Sequence, residues 1–234
     1  MAARPRLRIA EPRHGSLPVL LLVLTMVTGV IDAISLLTLG RVFVASMTGN
    51  VIVTGFAIAG VPEFSLRTSL AALVAFLVGA AAGGRLLVDR ITDRGLLLRA
   101  VIPIEWLLLA ACLVMVVVWP PTVDSAPTVT VAVMAAAAMG MQNAVARRMA
   151  VPDLNTSVVS MSMIGLAADH RHSSRQTSLR RALAVISLLT GAIMGAVLVQ
   201  TVGPAPAFGL ILVLLAGVGG AAHLMLRRGA DWEN

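Results

Sequence analysis

The feature that most restricts this chain is a succession of uninterrupted apolar stretches of about 20 residues. That is the length at which a helix rising 1.5 Å per residue covers a hydrocarbon core of roughly 30 Å. Eight hydrophobic segments can be drawn, at 17–38, 43–60, 66–88, 99–119, 128–149, 155–169, 179–201 and 207–226. Backbone polar groups in lipid must be bonded within the protein, which leaves helices or closed barrels. Barrel strands alternate polar and apolar residues, and these stretches do not. The expected fold is therefore an all-α membrane protein. Composition agrees: 58% of the residues are hydrophobic, 12% are charged, and the mean hydropathy is +0.93, too apolar for a soluble exterior.

The net charge of +7 raises nucleic acid as a partner, and its distribution argues against one. The arginines sit in short clusters beside the apolar segments, and there is no basic face with interleaved aromatics. The lipid bilayer is the expected partner. The single cysteine, Cys112, lies within an apolar stretch; it excludes an intramolecular disulfide and reads as packing. The arginine-rich start and the run from Leu17 to Ile31 have the outline of a secretory signal. The run is too long, is followed by Asp32, and lacks a close small-residue cleavage site, so a retained first helix that also acts as the insertion signal is expected.

Arginine marks the cytoplasmic side of bacterial membrane segments. The tail carries Arg4, Arg6, Arg8 and Arg13, and the loop after the third segment carries Arg85, Arg90, Arg94 and Arg99. Arg147, Arg148, Arg171, Arg175, Arg180, Arg181, Arg227 and Arg228 flank later segments, whereas the loops holding Pro120, Pro121 and Asp124, and Gly203, Pro204 and Pro206, have no basic residue. Eight crossings would put the Arg85–Arg99 loop outside. If the short second and sixth segments enter and leave by the same side, every loop is satisfied. This gives six spanning helices plus two short interrupted or re-entrant segments, both termini in the cytoplasm, and only Arg41 and Arg67 outside, near Glu63.

An internal repeat supports this division. Gly29 and Gly140, Asp32 and Asn143, and Ala33 and Ala144 stand 111 apart. Gly79-x3-Gly83 and Gly191-x3-Gly195 stand 112 apart, and Ser65-Leu66-Arg67 recurs at Ser178-Leu179-Arg180. The expected organisation is a basic cytoplasmic tail (1–16), a first membrane repeat (17–119), a second (120–228) and a short cytoplasmic tail (229–234). Three crossings per half is an odd number, so the halves are expected to insert inverted, as in many transporters.

Asp32 is the first candidate for chemistry, because a carboxylate inside a membrane helix costs roughly 2.5–3.5 kcal/mol on insertion scales. It reads either as a proton or cation site, or as a carboxyl bonded to nearby unwound backbone. Thr48-Gly49-Asn50 and Ser160-Met161-Ser162, with Asn155 and Thr156 just upstream, interrupt their segments at matched places. Broken helices expose backbone groups that line cavities, so Asp32, Thr48, Gly49, Asn50, Gln142, Asn143, Thr156 and Ser160 form the expected solute or ion site, with polar glue between helices as the alternative. Gly79, Gly83, Gly191 and Gly195 are expected at close helix contacts. Glu105, placed near the inner end of the fourth segment, reads as a carboxylate snorkelling to the headgroups. His170 and His172 flank Arg171 in a basic loop without enough further ligands for a metal. No HExxH, GxSxG or Walker pattern occurs. Neither an enzyme nor a cofactor is expected.

Gly29-Val30-Ile31-Asp32-Ala33, Phe43-Val44-Ala45-Ser46-Met47-Thr48-Gly49-Asn50, Met139-Gly140-Met141-Gln142-Asn143-Ala144 and Arg147-Arg148 together resemble the signature of the YoaK-like family of bacterial membrane proteins, a domain of unknown function. The resemblance runs over nearly the whole chain. It implies about six transmembrane helices in a bacterial inner membrane and supplies no substrate. Where that family shows Thr-Gly in its second half, this chain has Ser160-Met161. The expectation for function is a small secondary transporter or channel for a small solute or ion. In it, Asp32 gives up a proton or cation as the site turns outward; a non-transporting accessory or assembly protein is the alternative. The sequence leaves homo-oligomerisation open.

Overall fold

A computed structural model describes residues 17–149, 159–168 and 175–227. Among these residues the chain is helical: α1 (Leu17–Thr38), α2 (Met47–Ile58), α3 (Leu66–Ala82), α4 (Arg94–Val118), α5 (Ala126–Met149), α6 (Val159–Ala168), α7 (Arg175–Thr201) and α8 (Pro204–Arg227). α3 runs on into a π-helical segment, Gly83–Val88. Six helices are long and apolar enough to cross a membrane: α1, α3 with its π segment, α4, α5, α7 and α8. α2 has 12 residues and α6 has 10, lengths of about 18 and 15 Å that fall short of a hydrocarbon core. Asp93 caps α4, its carboxylate accepting from Leu96 N at 2.7 Å. Ser65 caps α3 in the same way, accepting from Thr68 N at 3.0 Å.

The connections on either side of α2 meet. Arg41, just before it, pairs with Glu63, just after it, at 2.8 Å. The chain therefore leaves and returns at one end of the bundle, so that α1 and α3 run in opposite directions. The Ser65 hydroxyl also donates to Asp124 in the α4–α5 connection, which places the end of α4 and the start of α5 at that same end. Gly40 (φ 85°) and Arg41 (φ 57°) turn the backbone out of α1 through the left-handed region. Residues 39–46 are irregular, and α2 starts only at Met47. This corrects one expectation: Thr48-Gly49-Asn50 and Ser160-Met161-Ser162 do not interrupt helices but lie in the first turns of α2 and α6. The break sits upstream of α2, where two successive positive φ angles end regular structure.

α1 packs chiefly against α7, α3 against α5, and α4 against α8 and α5; α8 also touches α1, while α2 lies on α3 and α6 on α7. Exchanging α1–α4 with α5–α8 maps these pairings onto one another: α1 on α7 becomes α5 on α3, and α4 on α5 becomes α8 on α1. The correspondence extends to single glycines. A Cβ on Gly29 would run into the Leu188 carbonyl and Ala192 N, and one on Gly140 into the Phe76 carbonyl and Ala80 N. A Cβ on Gly191 would meet the Met26 carbonyl, and one on Gly79 the Ala137 carbonyl. Gly195 lies against Val30, and Gly83 against Met141. In both pairs the contacting residue numbers rise together, so α1 runs parallel to α7 and α3 parallel to α5. Gly79, Gly83, Gly191 and Gly195 thus lie where backbones approach most closely, as small residues permit in membranes. α1 and α5 are the central helices, each with 67% of its spanning window buried against 22–33% for the others.

Candidate functional site

Three of the expected site residues, Asp32, Asn50 and Gln142, fall at three separate contacts. The first is Asp32, six residues before the end of α1. Its Oδ1 accepts from Val44 N at 3.3 Å and Ala45 N at 3.0 Å, and its Oδ2 accepts from the Ser46 hydroxyl. The irregular 39–46 stretch cannot bond its own backbone as a helix does, so Asp32 receives the donors that it leaves open. Asp32 and Ser46 also supply the polar groups of a cavity of about 360 Å³ between α1 and α7, whose apolar lining includes Phe43, Leu36 and Leu188. That volume is within the range of small-molecule sites, roughly 300–1,000 Å³. The Phe43 ring fills the space over Gly49, where a Cβ would crowd it.

The second contact joins α2 to α3. Asn50 is fully buried, and its amide nitrogen donates to the Ser69 carbonyl at 3.2 Å. Its Oδ1 and the Ser69 hydroxyl are both buried and without a hydrogen-bond partner. Thr48, two residues earlier, is exposed at the bundle surface. Neighbouring hydroxyls are spent locally: Thr25, Thr28, Thr38 and Thr54 each donate to the carbonyl four residues earlier in the helix.

The third contact, between α4 and α5, went unrecognised in the sequence. Glu105 is fully buried, not snorkelling. Its helix begins at Arg94, capped by Asp93, which sets Glu105 about 16 Å along the axis and out of reach of the headgroups. With the Gln142 amide oriented so that its nitrogen faces the carboxyl, the amide donates to both Glu105 oxygens, to Oε2 at 3.3 Å. Glu105 forms no ion pair among the described residues. An acidic residue in an apolar helix, two residues after Pro103 and level with a buried glutamine, is the signal that identifies it. Close by, Trp106 Nε1 donates to the Leu212 carbonyl of α8 at 3.1 Å, and buried Cys112 lies against the Val131 carbonyl of α5 at 3.7 Å.

Asn143, the counterpart of Asp32, is buried on α5, and its amide donates to the Met139 carbonyl at 2.9 Å. Ser160 is exposed on α6, and the guanidinium of Arg181 occupies the space beside Gly165 of that helix. Thr156, with Asn155, His170 and His172, lies outside the described residues. Among the described residues no three His, Cys, Asp or Glu side chains gather as a metal site.

Over residues 20–221 the chain matches the family model described as Protein of unknown function (DUF1275). It is similar to the UPF0700 transmembrane protein YoaK of Bacillus subtilis (strain 168), with 29% identity over 192 residues, 75% of this chain and 80% of that protein. No solved structure matches it.

Proposed function

This chain belongs to the DUF1275 family, and from that premise we propose that it is a small secondary transporter for a small solute or ion, built as an inverted repeat in a bacterial cytoplasmic membrane. The observation that carries this reading is the matched packing of the halves, glycine for glycine, at Gly29 and Gly140 and at Gly191 and Gly79. Each half contributes three long helices, α1, α3 and α4 against α5, α7 and α8. Because each half holds an odd number of crossings, the second runs opposite to the first, the arrangement on which alternating access is built. The tight units are not the halves themselves but the pairs α1–α7 and α3–α5, each joining a helix from either half. Rocking of one pair against the other opens the bundle alternately at its two ends. The cavity holding Asp32 and Ser46 is the entrance at the end where α1 finishes. Exposed Arg85, Arg90, Arg99, Arg147 and Arg148 gather at the opposite end, and the positive-inside bias supports reading that end, and with it both chain termini, as cytoplasmic.

One observation favours a second reading, a non-transporting accessory protein. All three donors around Asp32 belong to the loop that it fastens, so its carboxyl has a sufficient structural task. Single cysteines at Ser46, Thr48 and Asn50 in a Cys112→Ala background separate the two readings. A water path for solute exposes Ser46 and Asn50 to a membrane-impermeant thiol reagent. Thr48, exposed at the bundle surface, serves as the labelling control, and resistance at Ser46 and Asn50 contradicts transport and leaves the accessory role.

A further inference from the structure

Glu105 is the buried group that the transport reading does not use. It sits in the middle of α4, and its hydrogen-bond partner is the amide of Gln142, itself buried on α5. A carboxylate removed from water needs a compensating positive charge. Among the described residues the surrounding elements supply none to it. The charged and titratable groups on the helices packed against α4 are Arg147 and Arg148 on α5, Arg85 on the π segment, and His223 and Arg227 on α8. On α4 itself Arg94 opens the helix, Arg99 lies six residues before Glu105, Cys112 lies seven after it, and Asp93 is the N-cap. Arg85, Arg99, Arg147, Arg148 and Asp93 are exposed, His223 is half-buried and Cys112 is buried, and among the described residues no ion pair reaches Glu105. A metal cation needs a shell of several oxygen ligands, whereas among the described residues Gln142 is the side chain that hydrogen-bonds the carboxyl. A proton needs a single acceptor.

The glutamine suits both forms of such a group. With its nitrogen toward Glu105, the amide donates to a carboxylate. Turned by half a revolution, it presents its carbonyl oxygen at the same place, where only a carboxyl bearing hydrogen can bond to it. We propose that Glu105 and Gln142 form a proton-binding site inside the membrane region. There Glu105 takes up one H⁺ from a hydronium ion, one O–H bond of hydronium breaking to leave water as the carboxyl O–H bond forms, and the Gln142 amide rotates from donor to acceptor. If the molecule transports, the proton is its coupling ion; that clause rests on the proposed function, and the binding itself does not.

Infrared difference spectroscopy on the full chain in lipid, stepped through pH, tests the site. A carboxylic C=O band should grow as pH falls, vanish in Glu105→Gln and persist in Asp32→Asn. It should change frequency in Gln142→Leu, where its hydrogen-bond acceptor is gone. Glu105→Gln keeps the shape of the pair as two facing amides; should it nevertheless fail to fold, the Gln142→Leu shift decides alone. An unchanged spectrum in Glu105→Gln, no frequency shift in Gln142→Leu, or a band that responds to Na⁺ at fixed pH overturns the proposal. A band lost in Glu105→Gln in a protein that carries no solute leaves the proton site standing and removes transport.

Discussion

At the scale of single residues, the sequence located the costly groups but not their partners. Asp32 stood out as an isolated carboxylate in an apolar run, and the alternative of bonding to unwound backbone was open from the start. Which donors it takes depends on where the chain turns after α1, and that is fixed by the positive φ angles of Gly40 and Arg41, the second of which no propensity marks. Glu105 was misplaced because its helix was started at residue 99, missing the Asp93 cap and more than one helical turn. Removing the Asp32 carboxyl by Asp32→Ala leaves Val44 N, Ala45 N and the Ser46 hydroxyl without their acceptor. An unsatisfied buried donor costs about 1–3 kcal/mol, so thermal unfolding in detergent should show a loss of at least that order. Asp32→Asn retains one acceptor oxygen and should lose less. Equal losses in the two variants would mean that these hydrogen bonds do not hold the loop.

At the scale of elements, the long helices were readable because a run of about 20 apolar residues has few alternatives in a membrane. The ends of α2 were not, since its re-entry depends on a tertiary contact, Arg41 with Glu63, that loop-charge counting treated only as nearby charge. The helix pairings were partly legible. Glycines at matched spacing announced close contacts, but not that α1 joins α7 and α3 joins α5 across the two halves. At these contacts an added side chain meets backbone, which cannot give way as a flexible side chain can. Gly29→Val and Gly140→Val should each destabilise by about 1–3 kcal/mol or more, to a similar degree, as judged by melting in detergent. Gly55→Val on α2, with nothing within 4 Å of its added Cβ, should melt within about 0.5 kcal/mol of wild type. A tolerated valine at Gly29 or Gly140 would break the correspondence between the two pairs.

At the scale of the whole molecule, the proposed two sets of three crossings would account for the arginine distribution, the repeat spacing and the packing together. What the sequence could not convey is that the polar residues are dispersed. Asp32, Asn50 and Gln142 bond to three different partners, where a single central cluster was expected. The proposed transport by two rocking pairs would not require the polar groups to meet in one state. The central claim is movement of a solute, and uptake is its most direct measure. Liposomes containing the purified chain are offered labelled small organic solutes and monovalent cations in turn, each as an imposed gradient, with protein-free liposomes alongside. The account predicts at least one solute whose entry exceeds the protein-free rate at least tenfold, a gap of about 1.4 kcal/mol in barrier, and whose entry collapses in Glu105→Gln protein that melts as wild type does. Entry no faster than in protein-free liposomes for every solute tested would contradict it.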